Sequence, residues 1–158
     1  LVARLGHDRC AQHLRQCGVD GAIVPDLPLD ELNGWGEAAD SAGIETVLLA
    51  APTTPDDRLK QICERSHGFV YGVSLMGVTG ERDELAAHAG EMGRRCKAVT
   101  DKPVLLGVGI STPAQAGEAA AHADGVIVGS ALVRRLLDGG GPDEAATFVR
   151  SLRVALDS

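Results

Sequence analysis

The sequence predicts a parallel α/β protein. Five apolar runs of strand length are rich in valine, isoleucine and leucine and show little alternation between apolar and polar residues. Strands that are buried on both faces of a parallel sheet have this composition. Longer amphipathic segments separate the runs, and the strand starts recur about every 22–34 residues, which is the length of a βα unit. Successive units of this kind build either an open doubly wound sheet or a barrel.

The predicted strands are residues 21–27, 45–51, 69–75, 103–109 and 125–131. The predicted helices are residues 7–17, 30–42, 55–66, 83–99, 113–122 and 143–157, with a short helix over 131–137 and a glycine-rich loop over 139–142. Thr54 and Thr112 each precede a proline, so each is predicted to cap a helix that begins with proline. Gly18 and Gly43 lie where helices are expected to end in a left-handed residue. We interpret residues 1–158 as a single domain.

Charge and cysteine usage exclude several classes of protein. The formal net charge of −7 disfavours nucleic acid and anionic membrane surfaces as partners, because both require a basic surface. No apolar run approaches the roughly 20 residues of a membrane span. The four cysteines have no C-x-x-C spacing and are expected to be reduced, packed thiols, which indicates the cytoplasm. No histidine or carboxylate cluster suggests a metal site.

Ligands of parallel α/β proteins bind at the carboxyl ends of the strands, so the residues after each strand are the candidate site. Gly77-Val78-Thr79-Gly80 follows the third strand and leads into a polar helix start. This stretch is either a mobile lid over a ligand or an ordinary glycine turn.

Two further glycine stretches follow the fourth and fifth strands. The first is Gly107-Val108-Gly109, which precedes a capped helix, and the second is Gly129-Ser130, which precedes the short helix. Backbone N–H groups at such helix starts bind phosphate without basic side chains, and barrels often hold phosphate after their last two strands. The two stretches together predict binding of a phosphorylated small molecule. No G-x-G-x-x-G follows the first strand, which disfavours a dinucleotide.

Two side chains at strand positions remain open to interpretation. Asp26 ends the first strand and is either a catalytic group or a helix-capping carboxylate. Tyr71 alternates with Phe69 and Val73 and either faces a ligand or packs in the core. The residues alone name no second group for an acid–base pair.

The order and spacing of five motifs resemble tryptophan synthase alpha chains over nearly the whole chain. These motifs are G-V-D-G-A-I-V-P-D-L-P (18–28), L-L-A-A-P-T-T-P-D-D-R-L (48–59), G-F-V-Y-G-V-S-L-M-G-V-T-G (68–80), P-V-L-L-G-V-G-I-S-T-P (103–113) and A-D-G-V-I-V-G-S-A-L-V (123–133). The resemblance implies a (β/α)8 barrel of which this chain forms about five of eight units. It implies cleavage of indole-3-glycerol phosphate to indole and glyceraldehyde 3-phosphate.

The resemblance also implies roles for residues of this chain. Thr79 and Gly80 resemble the lid over the substrate. Gly109, Gly129 and Ser130, beside Gly107, resemble the phosphate cradle. The residues that resemble the wall of an indole pocket are Ile23, Leu49, Tyr71 and Val108, the last in place of a phenylalanine that many relatives have. A beta subunit that carries pyridoxal phosphate is implied as partner in a heterotetramer, and no cofactor is implied for this chain.

No catalytic residue is carried over to this chain. The family's catalytic carboxylates come from the second strand and the loop after it, whereas this chain matches from the fourth strand onward, so an N-terminal third is expected to lie outside it. Two alternatives stay open. One is another phosphosugar isomerase or epimerase on the same barrel, and the other is a non-catalytic phosphate-binding fragment that docks on a partner subunit.

Overall fold

The computed structural model of the chain describes residues 2–73, 82–107 and 109–157, and of residues 82–89 it describes the backbone alone. The strands are β1 (Gly21–Ile23), β2 (Glu45–Ala50), β3 (Val70–Val73), β4 (Val104–Gly107) and β5 (Gly125–Val126). The helices are α1 (Val2–Leu5), α2 (His7–Gln16), α3 (Leu32–Ala42), α4 (Asp56–Arg65), α5 (Arg82–Lys97), α6 (Pro113–Ala120), α7 (Ser130–Leu137) and α8 (Gly141–Leu156), with a 3-10 turn at Leu29–Glu31.

The five strands form one parallel sheet in the order β1-β2-β3-β4-β5. Each strand therefore pairs with the next one along the chain, without the reversal of order that marks a doubly wound sheet. The helices cover one face of this sheet, whose residues Leu48, Val70 and Val104 align in one row against the core. One-sided helix packing and sequential order are the architecture of a (β/α)8 barrel, here its five-stranded part.

The core lies between this face of the sheet and the helices. On that face the side chains of Val70 on β3 and of Val104 and Leu106 on β4 are fully buried. The same core extends to the contact between α2 and α3, where Cys10 and Trp35 are buried. The opposite, helix-free face of the sheet carries the half-buried Leu49, Tyr71 and Leu105, the buried Val47 and the exposed Ile23. The helix-covered face thus supplies most of the hydrophobic stabilisation of the described chain.

The helix-end predictions are confirmed with one exception. Gly18 and Gly43 follow helices with φ of 79° and 70°, a conformation that glycine adopts without strain. Thr112 caps α6 through a capping box with Gln115. The cap predicted at Thr54 is wrong, because its hydroxyl accepts a hydrogen bond from the Ala51 amide at 3.0 Å and so stabilises the preceding turn.

Element bounds differ from the sequence prediction at several ends. The predicted strands 21–27 and 125–131 are shorter, because β1 ends at Ile23 and β5 at Val126. The second half of the predicted loop 139–142 belongs to α8, which begins at Gly141. Pro142 fits in the first turn of this helix because backbone N–H groups there need no partner inside the helix. Helix α1 was not predicted, since four residues are too few to show a periodic pattern.

The cysteine prediction is confirmed for three of four residues. Cys10, Cys63 and Cys96 are buried free thiols, whereas Cys17 is exposed at the end of α2.

Lys102 closes the carboxyl end of α4 with hydrogen bonds from Nζ to the carbonyls of Cys63, Glu64 and Ser66 at 2.9, 2.7 and 2.6 Å.

No helix within the described residues is long and apolar enough to cross a membrane.

Asp124 fixes the start of β4, and its charge is expected to stabilise the fold only above acidic pH. One carboxylate oxygen accepts the Val104 amide at 2.8 Å, and Lys97 Nζ lies 2.9 Å from the same oxygen. The Val104 amide first, then Lys97, lower the pKa of Asp124 below its ordinary value of 3.8. A lowered carboxyl pKa stabilises the folded state at neutral pH, and this stabilisation is lost as pH falls through the folded-state pKa.

We therefore expect Asp124→Asn to lower the free energy of unfolding by about 0.5–1 kcal/mol at pH 7, since the side chain is half exposed. As pH falls below about 4 the difference from the unsubstituted protein is expected to shrink, and it is expected to close once the pH lies below the lowered pKa of Asp124. Urea unfolding at pH 7 and pH 3 measures both values, with the exposed Asp101→Asn as control. An unchanged difference at pH 3 would contradict this role for the carboxylate.

Candidate functional site

The carboxyl ends of the five strands meet at one edge of the sheet, because all the strands are parallel. Strand β4 ends there at Gly107, and β5 is followed at the same edge by Gly129 and Ser130. Gly109, Gly129 and Ser130 are exposed. The structure therefore brings the glycine stretches of the fourth and fifth strands to one solvent-facing edge, as the sequence predicted.

Helix α7 begins at this edge, and the first N–H groups of a helix have no partner inside the helix. Gly129 is its N-terminal flanking residue, and no side chain caps it. The Gly129 carbonyl accepts bonds from Leu132 and Val133 at 3.0 and 3.1 Å, so the first intrahelical bonds leave the N–H groups of Ser130 and Ala131 without intrahelical partners. A Cβ at Gly129 would meet no atom of the described residues within 4 Å, so these residues leave the space above its backbone open. An anion can approach these N–H groups closely.

At the neighbouring helix start, that of α6, the backbone N–H groups of Ser111 and Thr112 have a hydrogen-bond partner within the protein. Gln115 Oε1 accepts hydrogen bonds from the Ser111 and Thr112 amides at 2.9 and 3.2 Å and from the Ser111 hydroxyl at 3.0 Å. These donors are therefore satisfied within the protein. Gly109, just before them, has a φ of 71° that favours glycine. The glycine motifs predicted phosphate binding at both helix starts equally, whereas in the structure only the start of α7 lacks such a side-chain partner among the described residues.

Tyr71 lies over the backbone of Gly107. A Cβ built on Gly107 would stand 2.4 Å from both Cε2 and the hydroxyl oxygen of Tyr71, so the glycine provides the space that the ring occupies. Tyr71 is half-buried and aligns with Leu49 on β2 and Leu105 on β4. The ring therefore lies on the helix-free face of the sheet. It is not part of the core between sheet and helices, which was the other interpretation of Tyr71.

The described residues that were predicted to form an apolar pocket wall share the helix-free face of the sheet. Leu49 stands beside Tyr71, and Ile23 lies one row further toward the amino ends of the strands, paired with Val47 and 41% exposed. Leu105 also belongs to this face and was missed by sequence reasoning. Counting alternate residues back from Gly107 would have found it, because side chains two positions apart share a face.

The remaining predicted positions are either outside the described residues or apart from this face and edge of the sheet. Thr79, Gly80 and Val108 lie outside the described residues, as does the rest of the lid stretch 77–80. Asp26 is exposed, and the helix-capping interpretation is not supported, because Pro28 is the N-terminal flanking residue of the 3-10 turn. Among the described residues, no group of three histidine, cysteine or carboxylate side chains could hold a metal ion.

Comparison with known proteins gives one consistent match. The family model "Tryptophan synthase alpha chain" matches residues 1–155. The tryptophan synthase alpha chain of Streptomyces coelicolor is 49% identical over 157 residues, which cover 98% of this chain and 57% of the relative. That of Thermobifida fusca is 44% identical over 158 residues, with 98% and 58% covered. The chain thus spans less than three fifths of the length of these two relatives.

Solved structures agree with the sequence comparison. A structure of Mycobacterium tuberculosis tryptophan synthase superposes with a TM-score of 0.87 at 41% identity, over 98% of this chain and 58% of that one. A crystal structure of the tryptophan synthase complex from Pyrococcus furiosus gives 0.83 at 36% identity, over 96% and 61%. These similarities confirm the predicted barrel fold, and they confirm that this chain forms only a part of such a barrel.

Proposed function

The chain belongs to the tryptophan synthase alpha chain family, and we propose that its full-length protein cleaves indole-3-glycerol phosphate to indole and glyceraldehyde 3-phosphate. It is proposed to act as the alpha subunit in tryptophan biosynthesis, as a carbon–carbon lyase. The observation that carries this proposal from the site itself is the uncapped start of α7 at the carboxyl edge of the sheet. The family match disfavours a different phosphosugar isomerase or epimerase.

The phosphate group is proposed to bind at the edge formed by Gly109, Gly129 and Ser130. The open space above Gly129 admits a phosphate oxygen to the free N–H groups at the start of α7. The partial positive charge of the helix start favours a dianion there, and the Ser130 hydroxyl can donate a further hydrogen bond. This arrangement explains how a chain of net charge −7 can hold an anionic substrate without a basic side chain.

The indole ring is proposed to lie on the helix-free face of the sheet. Tyr71 and Leu49 present apolar surface there, and Ile23 adds to it one row further toward the amino ends of the strands. Val108, between Gly107 and Gly109, is proposed to complete the wall, and Thr79 and Gly80 to close over the substrate as a lid. Burial of an aromatic ring in such an apolar site contributes binding energy. The proposed phosphate site at the strand ends would orient the glycerol phosphate part of the substrate.

The chemical step requires two positioned proton-transfer groups. A base removes the proton of the glycerol hydroxyl next to the ring, the carbon–carbon bond breaks, and an acid delivers a proton to the ring carbon that receives the electron pair. We propose that both groups come from the part of the relatives' length that this chain does not span. This chain is proposed to bind and orient the substrate, and to contain no catalytic residue.

The proposal extends to partners and location. A tryptophan synthase beta subunit that holds pyridoxal phosphate is proposed to receive the indole, in a heterotetramer, and this chain is proposed to need no cofactor of its own. The single domain is proposed to function in the cytoplasm.

The test is an assay of indole release from indole-3-glycerol phosphate by the full-length protein, with and without its beta subunit. We expect release in both cases, with a higher rate when the beta subunit is present. Binding of the substrate without any indole release would favour the non-catalytic alternative. Turnover of a phosphosugar that lacks the indole ring would instead overturn the assignment.

Gly129→Ala is expected to weaken substrate binding without destabilising the fold. The added Cβ meets no atom of the described residues, but it occupies the space through which the phosphate is proposed to reach the N–H groups. Loss of one hydrogen bond to a charged group costs about 1.5–3 kcal/mol, so KM is expected to rise about ten- to a hundredfold. Steady-state kinetics and thermal unfolding measure both quantities. Gly36→Ala, which adds the same group in open space on α3, is the control and should leave KM unchanged.

A further inference from the structure

Gln115 holds the backbone that leads into α6, next to the edge of the sheet where the phosphate is proposed to bind. Its Oε1 accepts hydrogen bonds from the Ser111 and Thr112 amides at 2.9 and 3.2 Å and from the Ser111 hydroxyl at 3.0 Å. In return the Thr112 hydroxyl accepts the Gln115 amide at 3.3 Å. One side chain thus fixes the two residues before the helix, in the reciprocal arrangement of a capping box.

The segment that is fixed in this way begins directly after Gly109. Ile110 is buried in the core, and Ser111 is held by Gln115 through both its amide and its hydroxyl. Gly109 itself is exposed and has a φ of 71°, so its backbone direction depends on where Ile110 and Ser111 are held. Release of Ser111 is therefore expected to turn the Gly109 N–H away from the phosphate that it is proposed to bind.

The neutral side chain at position 115 does more than capping requires. A capping box accepts glutamate as well as glutamine at this position. A carboxylate would accept charge-assisted hydrogen bonds from the same donors, and its negative charge would interact favourably with the helix start. Stability alone therefore favours glutamate here. The neutral Gln115 instead leaves the partial positive charge of the α6 start available to a bound anion.

The two helix starts beside the glycine stretches share this lack of negative charge. The first turns of α6 and α7 contain no aspartate or glutamate. The first turn of α4, which follows β2 at the same edge of the sheet, contains Asp56 and Asp57, and that of α8 contains Asp143 and Glu144. Carboxylates thus occupy two helix starts away from the glycine stretches but neither of the two beside them. A carboxylate in either of these two turns would repel a bound phosphate.

We infer that Gln115 is a positioning residue for the phosphate of the substrate, and this role rests on the proposed function. Its carbonyl oxygen holds Ser111 and Thr112 so that Gly109 faces the phosphate. Because the amide is neutral, it does so without bringing a negative charge to the dianion. Gln115 therefore caps α6 and at the same time leaves the electrostatic attraction of the two helix starts to the ligand.

Gln115→Glu keeps an acceptor for the same donors and adds one negative charge. The Tm of the ligand-free full-length protein is expected to stay equal or rise, because the carboxylate still caps the helix. The Kd of glycerol 3-phosphate, from a titration of amide chemical shifts, is expected to rise about three- to tenfold through charge repulsion. Added salt should reduce this increase, since salt screens exposed charges. An unchanged Kd would overturn the role of the neutral amide.

Gln115→Met removes the acceptor without adding charge, and methionine is a good helix former of similar length. The Ser111 and Thr112 amides then lose their partner, and the Kd of glycerol 3-phosphate is expected to rise about three- to tenfold, in this case by a factor independent of salt. KM for indole release should rise in parallel, while kcat changes by less than about twofold. A Kd equal to that of the unsubstituted protein would contradict the positioning role.

Gln61→Glu is the charge-matched control. Gln61 is exposed in α4, so its replacement makes the same change of net charge away from the glycine stretches. The Kd of glycerol 3-phosphate is expected to stay unchanged. An increase equal to that caused by Gln115→Glu would show that only the net charge of the protein matters, and the inference would be wrong.

The role of Gln115 and the proposed function can fail separately. Indole release by the unsubstituted full-length protein tests the function, whereas the ratio of Kd between variants tests Gln115. Indole release together with equal Kd values for all variants would overturn the role of Gln115 and support the function. Raised Kd values in the two Gln115 variants without any indole release would support the role and overturn the function. No saturable binding of glycerol 3-phosphate by the unsubstituted protein would overturn both.

Discussion

Gly107→Ala is expected to move the ring of Tyr71 and to weaken substrate binding at least about tenfold. The added Cβ would lie 2.4 Å from the ring, closer than nonbonded carbon atoms can approach, so Tyr71 must leave its position. Overpacking of this kind costs about 1–3 kcal/mol. The ring stands on the face where the indole is proposed to bind, so its displacement changes the shape of the pocket. Substrate KM and the free energy of unfolding are the two quantities to measure.

A double-mutant cycle isolates the contact between Gly107 and Tyr71. In a Tyr71→Ala background the ring is absent, and Gly107→Ala is then expected to change stability by less than about 0.5 kcal/mol. Equal destabilisation in both backgrounds would show that the clash with Tyr71 is not the cause. Tyr71→Phe is the matched variant for the hydroxyl group, since the hydroxyl oxygen stands as close to the added Cβ as Cε2 does.

Trp35→Ala is expected to produce the largest loss of stability, about 3–5 kcal/mol. Trp35 is the chain's only tryptophan and is fully buried in α3 at the contact with α2. Its replacement removes a large apolar surface and leaves a cavity between the two helices. Urea unfolding followed by circular dichroism measures the change without depending on tryptophan fluorescence.

Trp35→Phe provides the matched comparison. Within the described residues the indole nitrogen of Trp35 has no hydrogen-bond partner, so phenylalanine loses volume but no hydrogen bond. We expect it to cost clearly less than alanine does. Leu137→Ala, at a side chain 81% exposed, should change the free energy of unfolding by no more than about 0.5 kcal/mol. A similar loss at Leu137 and at Trp35 would contradict the assignment of the core.

The alternation of strands and helices could be predicted because buried parallel strands differ in composition from amphipathic helices. The cap at Thr112 could be predicted because its partner Gln115 lies three residues ahead. Thr54 has a similar local sequence, yet its hydroxyl bonds to Ala51. Sequence pattern alone does not decide between these two backbone arrangements, since a threonine hydroxyl can satisfy either.

The candidate site could be predicted at the level of which strand ends carry it. Glycine spacing placed Gly109, Gly129 and Ser130 at one edge, because parallel strands have their carboxyl ends together. It could not show that Gln115 closes the start of α6 while that of α7 stays open. Nor could it show that Gly107 gives space to Tyr71, because the contact crosses two strands whose register is set by tertiary packing.

The central claim is that the open start of α7 and its neighbouring glycines hold the phosphate of the substrate. Titration of the ¹⁵N-labelled full-length protein with glycerol 3-phosphate tests this claim most directly. We predict saturable chemical-shift changes that are largest at the amides of Gly129, Ser130 and Ala131, with Gly109 also affected. Saturable binding with its largest shifts away from this edge, or no saturable change at these amides, would contradict the account.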